Sequence, residues 1–332
     1  MNYKKAFISI ALIFMQTILF AQKDKSEKIL GADISFLPQL EDKGIQFSVD
    51  GVEGDAIAIL KQHGFNYIRL RIFNDPGADS GYSPGKDYCG LEQTKAMAKR
   101  IKIAGLKFLL DFHYSDTWAD PGKQFKPAAW EDLSFDQLTK AVRGYTKDVL
   151  FALKQQGTLP DMVQIGNEIN HGMIWPDGKV ENMDNLAALF KAGAAGVKDI
   201  DGSIPIMLHL ACGGQNAESV SFIDNMLKRN ARFDIIGESY YPQWHGTIED
   251  LRNNLNDLSK RYKQDVIVVE YTMKKNEVNE VAFTIPDGKM KGTFIWEPLN
   301  TWEFIFDKDG KANDLLKLYP EIARKYNIHL LK

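Results

Sequence analysis

The chain has 332 residues, a formal net charge of −3 and 44% hydrophobic residues. That length admits one or two domains and supplies a large core, while the near-neutral balance and the absence of a basic tract argue against a nucleic-acid partner. Cys89 and Cys212 are the two cysteines; one pair is not a disulfide scaffold, and no CxxC or Cys/His zinc spacing is present, so they read as free, partly buried thiols.

The first element is MNYKKAFISIALIFMQTILFAQ. Lys4 and Lys5 form a charged start, Ala6–Ala21 is an uncharged apolar run, and Ala21-Gln22 is a plausible cleavage point. This pattern predicts a secretory signal peptide over residues 1–21, since the run is short for a spanning helix of about 20 apolar residues. A short polar leader, residues 22–28, follows. From residue 29 a rhythm begins. The predicted strands are ILGADIS (29–35), NYIRLRIF (66–73), KFLLDFHY (107–114), MVQIGNEI (162–169), IPIMLHLA (204–211), FDIIGESYY (233–241), VIVVEYT (266–272) and TFIWEP (293–298). Between them lie stretches such as LEQTKAMAKRIKIAG and FDQLTKAVRGYTKDVLFALKQQG, where apolar residues recur at three and four and a glycine ends the run. Eight strands alternating with helices is the (β/α)₈ count, and no repeat, low-complexity tract or long linker divides it. The first turn, SFLPQLEDKG, lacks the glycine fingerprint of a dinucleotide-binding sheet. One α/β TIM-barrel domain over residues 29–332 is therefore expected.

In such a barrel the functional groups sit at the C-terminal ends of the strands. Those ends carry Asp33, Arg71, Asp111 with His113, Asn167 with Glu168, His209, Glu238 with Tyr240 and Tyr241, Glu270, and Trp296 with Glu297. A carboxylate ending a buried strand is costly unless compensated. Two of them on different strands of one rim point to glycoside hydrolysis, where one carboxyl protonates the leaving oxygen and the other attacks the sugar or activates water. Asn167 is placed to orient a hydroxyl or the acid. Tyr240 or Tyr241, and the arginines Arg69 and Arg71 on one face of the second strand, are placed to keep the second carboxylate ionised. Spacing alone leaves Asp111, Glu238 and Glu297 as alternative partners. Trp118, Trp130, Trp175, Trp244, Trp296 and Trp302 all fall at strand ends or in the loops after them, a distribution suited to stacking on sugar rings as well as to packing. A catalytic metal is the weaker reading. His113, His171, His209 and His245 lie near the rim, but Glu168 and His171 give only one ExxH copy, and no HExxH is present.

The stretches GADISFLPQLEDKG, YIRLRIFNDP, KFLLDFHYSDTWADPGKQFKPAAW, VQIGNEINHGMIWPDG, SYYPQWHG, VIVVEY and FIWEP resemble the endo-β-1,4-galactanases, family 53 of the glycoside hydrolases, within the clan of retaining (β/α)₈ glycosidases. The resemblance spans nearly the whole chain after the leader. It implies Glu168 as acid/base and Glu270 as nucleophile, with Asp33, Arg69, Arg71, His113, Trp118, Asn167, Tyr240, Tyr241 and Trp296 lining the sugar site. It implies β-1,4-galactan as substrate. No cofactor is expected, the signal peptide predicts export, and a monomer is the default for a secreted depolymerase. Glu238 departs from the pattern, where an apolar residue is expected; it either tunes a neighbour or, the preferred reading, faces the helical layer. The segment after Glu270 is short and lacks an Asp/Asn cluster, so no structural metal is expected where some relatives hold calcium. Two rivals remain: the same chemistry on mannan or glucan, and a non-catalytic sugar-binding barrel.

Overall fold

The eight apolar runs pair into one closed sheet in a computed structural model that describes residues 27–286, 288–300 and 304–328. The expected signal peptide and Trp302 lie outside the described residues. The strands are β1 (Ile29–Asp33), β2 (Tyr67–Ile72), β3 (Lys107–Phe112), β4 (Met162–Ile165), β5 (Ile206–Leu210), β6 (Ile235–Tyr240), β7 (Asp265–Tyr271) and β8 (Met290–Trp296). Each is parallel to its sequence neighbour, and β8 closes on β1 with Asp33 opposite Trp296. The helices on the outside are α1 (Ala56–Gln62), α2 (Leu91–Ile103), α3 (Phe135–Gln155), α4 (Met183–Ile200), α5 (Asn216–Lys228), α6 (Ile248–Arg261), α7 (Lys275–Thr284) and α8 (Leu318–Lys325). This is the expected (β/α)₈ barrel. Among the described residues no helix is long and apolar enough to cross a membrane.

Local chemistry accounts for the helix boundaries. Ser134 accepts from the Gln137 backbone N–H while Gln137 reaches back to Ser134, so α3 opens on a reciprocal cap. Thr247 and Asp250 do the same for α6. Leu138, Val142, Val149, Leu150 and Leu153 of α3 recur at helical spacing and are buried against the strands. Cys89 and Cys212 are both buried free thiols.

Strand alternation splits the core into two layers. Leu30, Ile68, Leu110, Val163, Leu208, Ile236 and Val268 point outward under the helices. Tyr67, Leu109, Met162, Met207, Ile235, Ile267 and Phe294 point inward and plug the barrel. Phe294 crosses the interior because residue 31 is glycine: a Cβ there would lie 2.2 Å from the Phe294 ring. Burying each large apolar side chain contributes about 1.5–3 kcal/mol. Above this plug the same inward positions become polar, which is where the strand ends meet a cavity.

Candidate active site

The inward parity of each strand delivers the polar layer. Counting in steps of two from the plug gives Asp33 after Gly31, Arg69 and Arg71 after Tyr67, Asp111 and His113 after Leu109, Gln164 after Met162, His209 after Met207, and Ser239 and Tyr241 after Ile235. β7 breaks the rule. Its pairing with β6 runs Glu238 to Val268 and then Ser239 to Glu270, leaving Val269 as an extra residue. Strict alternation from Ile267 would turn Glu270 toward the helices. The bulge turns it inward instead and sends Tyr271 outward, where it meets Tyr319 and Asn279.

Arg69 organises the layer. Its Nη1 donates to Asp33 Oδ2 at 3.1 Å and Glu270 Oε1 at 2.6 Å, and its Nη2 to Asp111 Oδ2 at 2.8 Å and Asn167 Oδ1 at 2.9 Å. The Tyr241 hydroxyl donates to the other oxygen of Glu270 at 3.0 Å. Glu270 therefore carries a cation on one oxygen and a phenol on the other. Glu168 is held differently. It follows a β4 that ends early, at Ile165, and it sits in the left-handed region at φ 50° and ψ 55°. A non-glycine residue there is strained, and such strain persists only where the surroundings over-determine it. Among the described residues its carboxyl receives one side-chain hydrogen bond, from Ser239 Oγ at 2.7 Å.

These settings divide the pair electrostatically. Burial drives Glu168 well above the usual carboxyl range, and the charge of Glu270 pushes it further. Burial also raises Glu270, but the guanidinium of Arg69 opposes this directly, so of the two Glu168 keeps the proton longer. Burial, with the negative charges of Glu270 and Glu168, raises Tyr241 well above its normal value and keeps it a donor.

The cavity above these groups measures about 690 Å³. Glu168, Glu270, Asp33, Arg69, Arg71, His113, Trp118, Asn167, Tyr241 and Trp296 line it. Trp118 and Trp296 meet edge to face at 6.2 Å, and the Arg71 guanidinium lies between the rings of Trp118 and Phe36 at 4.3 and 4.4 Å. The cation draws the two rings together through their negative faces and braces Trp118 from one side. The far side is lined by Asn170, His171, Gln215, Glu218 and the 59%-exposed Trp244.

Profile comparison matches residues 29–280 to the model described as glycosyl hydrolase family 53. The chain belongs to glycosyl hydrolase family 53. It is 49% identical over 251 residues to an uncharacterised protein of Niallia circulans, covering 73% of this chain and 66% of that one. It is 36% identical over 297 residues to the endo-beta-1,4-galactanase of Bacillus subtilis (strain 168), covering 89% of this chain and 66% of that one. The chain thus spans 66% of the length of each of these two relatives. The family 53 catalytic domain from Ignisphaera aggregans superposes with a TM-score of 0.82 at 32% identity, covering 90% of this chain and 97% of that one.

Within this family frame, one of the residues read from the sequence is displaced. Tyr240 does not reach the cavity. It is fully buried in the outer core, and its hydroxyl donates to the carbonyl of Gly246 at 2.9 Å. The physical reason is parity: Ser239 points in, so Tyr240 points out and Tyr241 points in. Glu238 faces the helices for the same reason. Glu297 is buried on Arg71 Nη1 at 2.5 Å and the Phe36 backbone N–H at 3.0 Å. Trp130 belongs to the outer core, in a short helical turn at Ala128–Trp130. Trp244 also sits in a turn of helix, Pro242–His245, although it opens onto the cavity. Gln164 and Ser239 join the layer without carrying a charge, and their inward parity is the signal the sequence offers for them.

Proposed function

We propose that this protein is an endo-β-1,4-galactanase that hydrolyses galactan with retention, Glu270 acting as nucleophile and Glu168 as acid/base. The observation that carries the proposal is the unequal support of two buried carboxyls facing one cavity. Glu270 is held by Arg69 and Tyr241, and Glu168 by the Ser239 hydroxyl alone among the described residues. In the first step a Glu270 oxygen forms a bond to the anomeric carbon, the glycosidic C–O bond breaks, and the Glu168 proton passes to the departing oxygen. In the second step Glu168, now ionised, takes a proton from water as its oxygen attacks the anomeric carbon and Glu270 is released. This returns both groups to their starting states. Trp296 and Trp118 offer ring faces to the sugar, Asp33 and Asn167 offer polar contacts to its hydroxyls, and His113, its two ring nitrogens taken by Asp111 and the Ala119 N–H, contributes to the cavity wall. The choice of galactan rests on the name of the Bacillus subtilis relative. An axial O4 bends the galactan chain, so a groove shaped for it fits straight cellulose poorly.

The test is reducing-sugar release from galactan, mannan and cellulose, with proton NMR of the first product. Galactan alone should be cut, and the β-anomer should form first. Comparable rates on cellulose would overturn the substrate, and an α-anomer would overturn the mechanism. The same reading includes export, followed by action as a monomer. The intact mass of secreted protein should begin near Gln22, and a secreted chain that retains Met1 would contradict cleavage.

A further inference from the structure

Glu168 ends one side of a hydrogen-bonded ring that its proposed role as acid/base does not by itself explain. His209 and Ser239 are both fully buried on neighbouring strands β5 and β6. The Glu168 backbone N–H points at His209 Nδ1, 3.3 Å away. His209 Nε2 lies 2.8 Å from Ser239 Oγ, and Ser239 Oγ lies 2.7 Å from Glu168 Oε1. The ring leaves Glu168 at its amide and returns at its carboxyl.

We infer, resting on the acid/base role proposed above, that His209 and Ser239 are positioning residues: they commit Oε1 of Glu168 to accepting a hydrogen bond and so leave Oε2 as the oxygen that carries the transferable proton. The direction follows from donor chemistry. A backbone N–H can only donate, so Nδ1 is bare and accepts. A neutral imidazole then holds its single proton on Nε2. Nε2–H donates to Ser239 Oγ, and the one serine proton goes to Glu168 Oε1. Asn167 Oδ1 also lies 3.0 Å from Nδ1 and would accept a proton from it. That oxygen already receives Arg69 Nη2 at 2.9 Å, so it does not need the histidine proton. The opposite tautomer would set Nδ1–H against the Glu168 N–H and lose that bond, reverse the other two, and place the Glu168 proton against Ser239, away from a leaving group. His209 must also stay neutral. Burial and the nearby charge of Arg69, with His113 and His245 beyond it, hold it well below its usual range. The groups that face Glu168 itself are Glu270 and Asp120, which favour its proton, and Arg69, which opposes it.

The inference is tested on the purified enzyme by carbon-13 NMR titration of the Glu168 carboxyl and nitrogen-15 NMR of the His209 ring, with kcat/KM on galactan against pH. The His209 proton should lie on Nε2. Ser239→Ala removes a donor to the ionised form, so Glu168 should titrate higher by about one pH unit, the size of one hydrogen bond to a charged group. The alkaline limb of kcat/KM should move up with it. Galactan hydrolysis at the optimum should fall on the order of tenfold, within the 10²–10⁴ that a whole acid/base contributes. His209→Gln, whose amide can still donate to Ser239, should stay close to wild type, and His209→Leu, which keeps the serine proton but no longer directs it, should shift Glu168 the same way as Ser239→Ala by a smaller amount. If either buried variant fails to fold, the wild-type tautomer and the other variants still decide. A proton on Nδ1, or a Glu168 titration unchanged in Ser239→Ala and His209→Leu, overturns the inference. The NMR readouts do not require turnover, so a wild-type enzyme inert on galactan would overturn the proposed function separately.

Discussion

Glu168 and Glu238 are both buried carboxyls near the mouth of the same barrel, yet they face opposite layers. Glu168 looks into the cavity toward a second carboxylate, and Glu238 looks out from β6 beneath α5. Each takes a serine hydroxyl: Ser239 at 2.7 Å for Glu168 and Ser219 at 2.6 Å for Glu238. Burial raises both above the usual carboxyl range. A shifted carboxyl is therefore not by itself a functional signal. What separates the two is what lies opposite. Glu168 has Glu270 across open space, with a cation and a phenol to keep that partner charged. Glu238 has the Cys212 backbone N–H and a helix.

The comparison is sharpest at Glu270. On the proposed roles Glu270→Ala removes the attacking atom, so turnover should fall on the order of 10⁴–10⁶, as for nucleophile loss in hydrolases of known mechanism. The loss should be equal on galactan and on a substrate with an activated aryl leaving group, measured by single-turnover kinetics. A variant that retains fast chemistry on the aryl substrate would move the nucleophile elsewhere.

Glu168→Ala should fail differently. The loss on galactan should be about 10²–10⁴. It should be far smaller for the first step on an aryl galactobioside, whose leaving group needs no proton. With Glu168 as the proposed acid/base, the second step then lacks its base, so azide should speed turnover and give a β-galactosyl azide, detectable by mass spectrometry. Equal loss on both substrates with no azide rescue would erase the distinction between Glu168 and a structural carboxyl.

A smaller effect is expected at Trp296. If it stacks on sugar, Trp296→Ala should weaken galacto-oligosaccharide binding by about 1–3 kcal/mol, by analogy with base stacking on aromatics. Calorimetry of binding and thermal melting separate that outcome from a packing role, in which stability falls and affinity per folded molecule does not.

These contrasts bear on what the sequence could reveal. The eight strands were legible because each is a short apolar run between turn residues, and barrel chemistry at strand ends followed from that. Orientation was legible only where alternation is strict. Tyr240 and Tyr241 are adjacent and chemically identical, so picking the inward one needed the parity of Ser239 to be counted from the plug. Glu270 is the reverse case: strict parity would have turned it away, and the bulge at Val269 has no local signature. The ring through His209 and Ser239 joins residues 41 and 30 positions apart, which only barrel closure brings together. Ser239 carries no charge that would mark it as a candidate.

Glu238 supplies the smallest effect on activity and the clearest separation of the two regions. Burial pushes its carboxyl up to about 8, against the pull of the Ser219, Asn254 and Cys212 hydrogen bonds. An unfolded glutamate titrates near 4.3. Between those values the folded chain binds more protons than the unfolded one, so this group's contribution to stability is full below about 4.3, falls as pH rises, and levels off above about 8. At about 1.4 kcal/mol per tenfold change in proton concentration, the loss amounts to a few kcal/mol. Glu238→Gln mimics the protonated acid: its amide can face Ser219 and its carbonyl can accept from the Cys212 N–H. The variant should match wild type in denaturant unfolding near pH 4.5 and exceed it by a few kcal/mol at pH 8.5, while kcat/KM on galactan changes less than about twofold. A large activity loss with unchanged stability would place Glu238 in the reaction and collapse the distinction between inward and outward carboxyls.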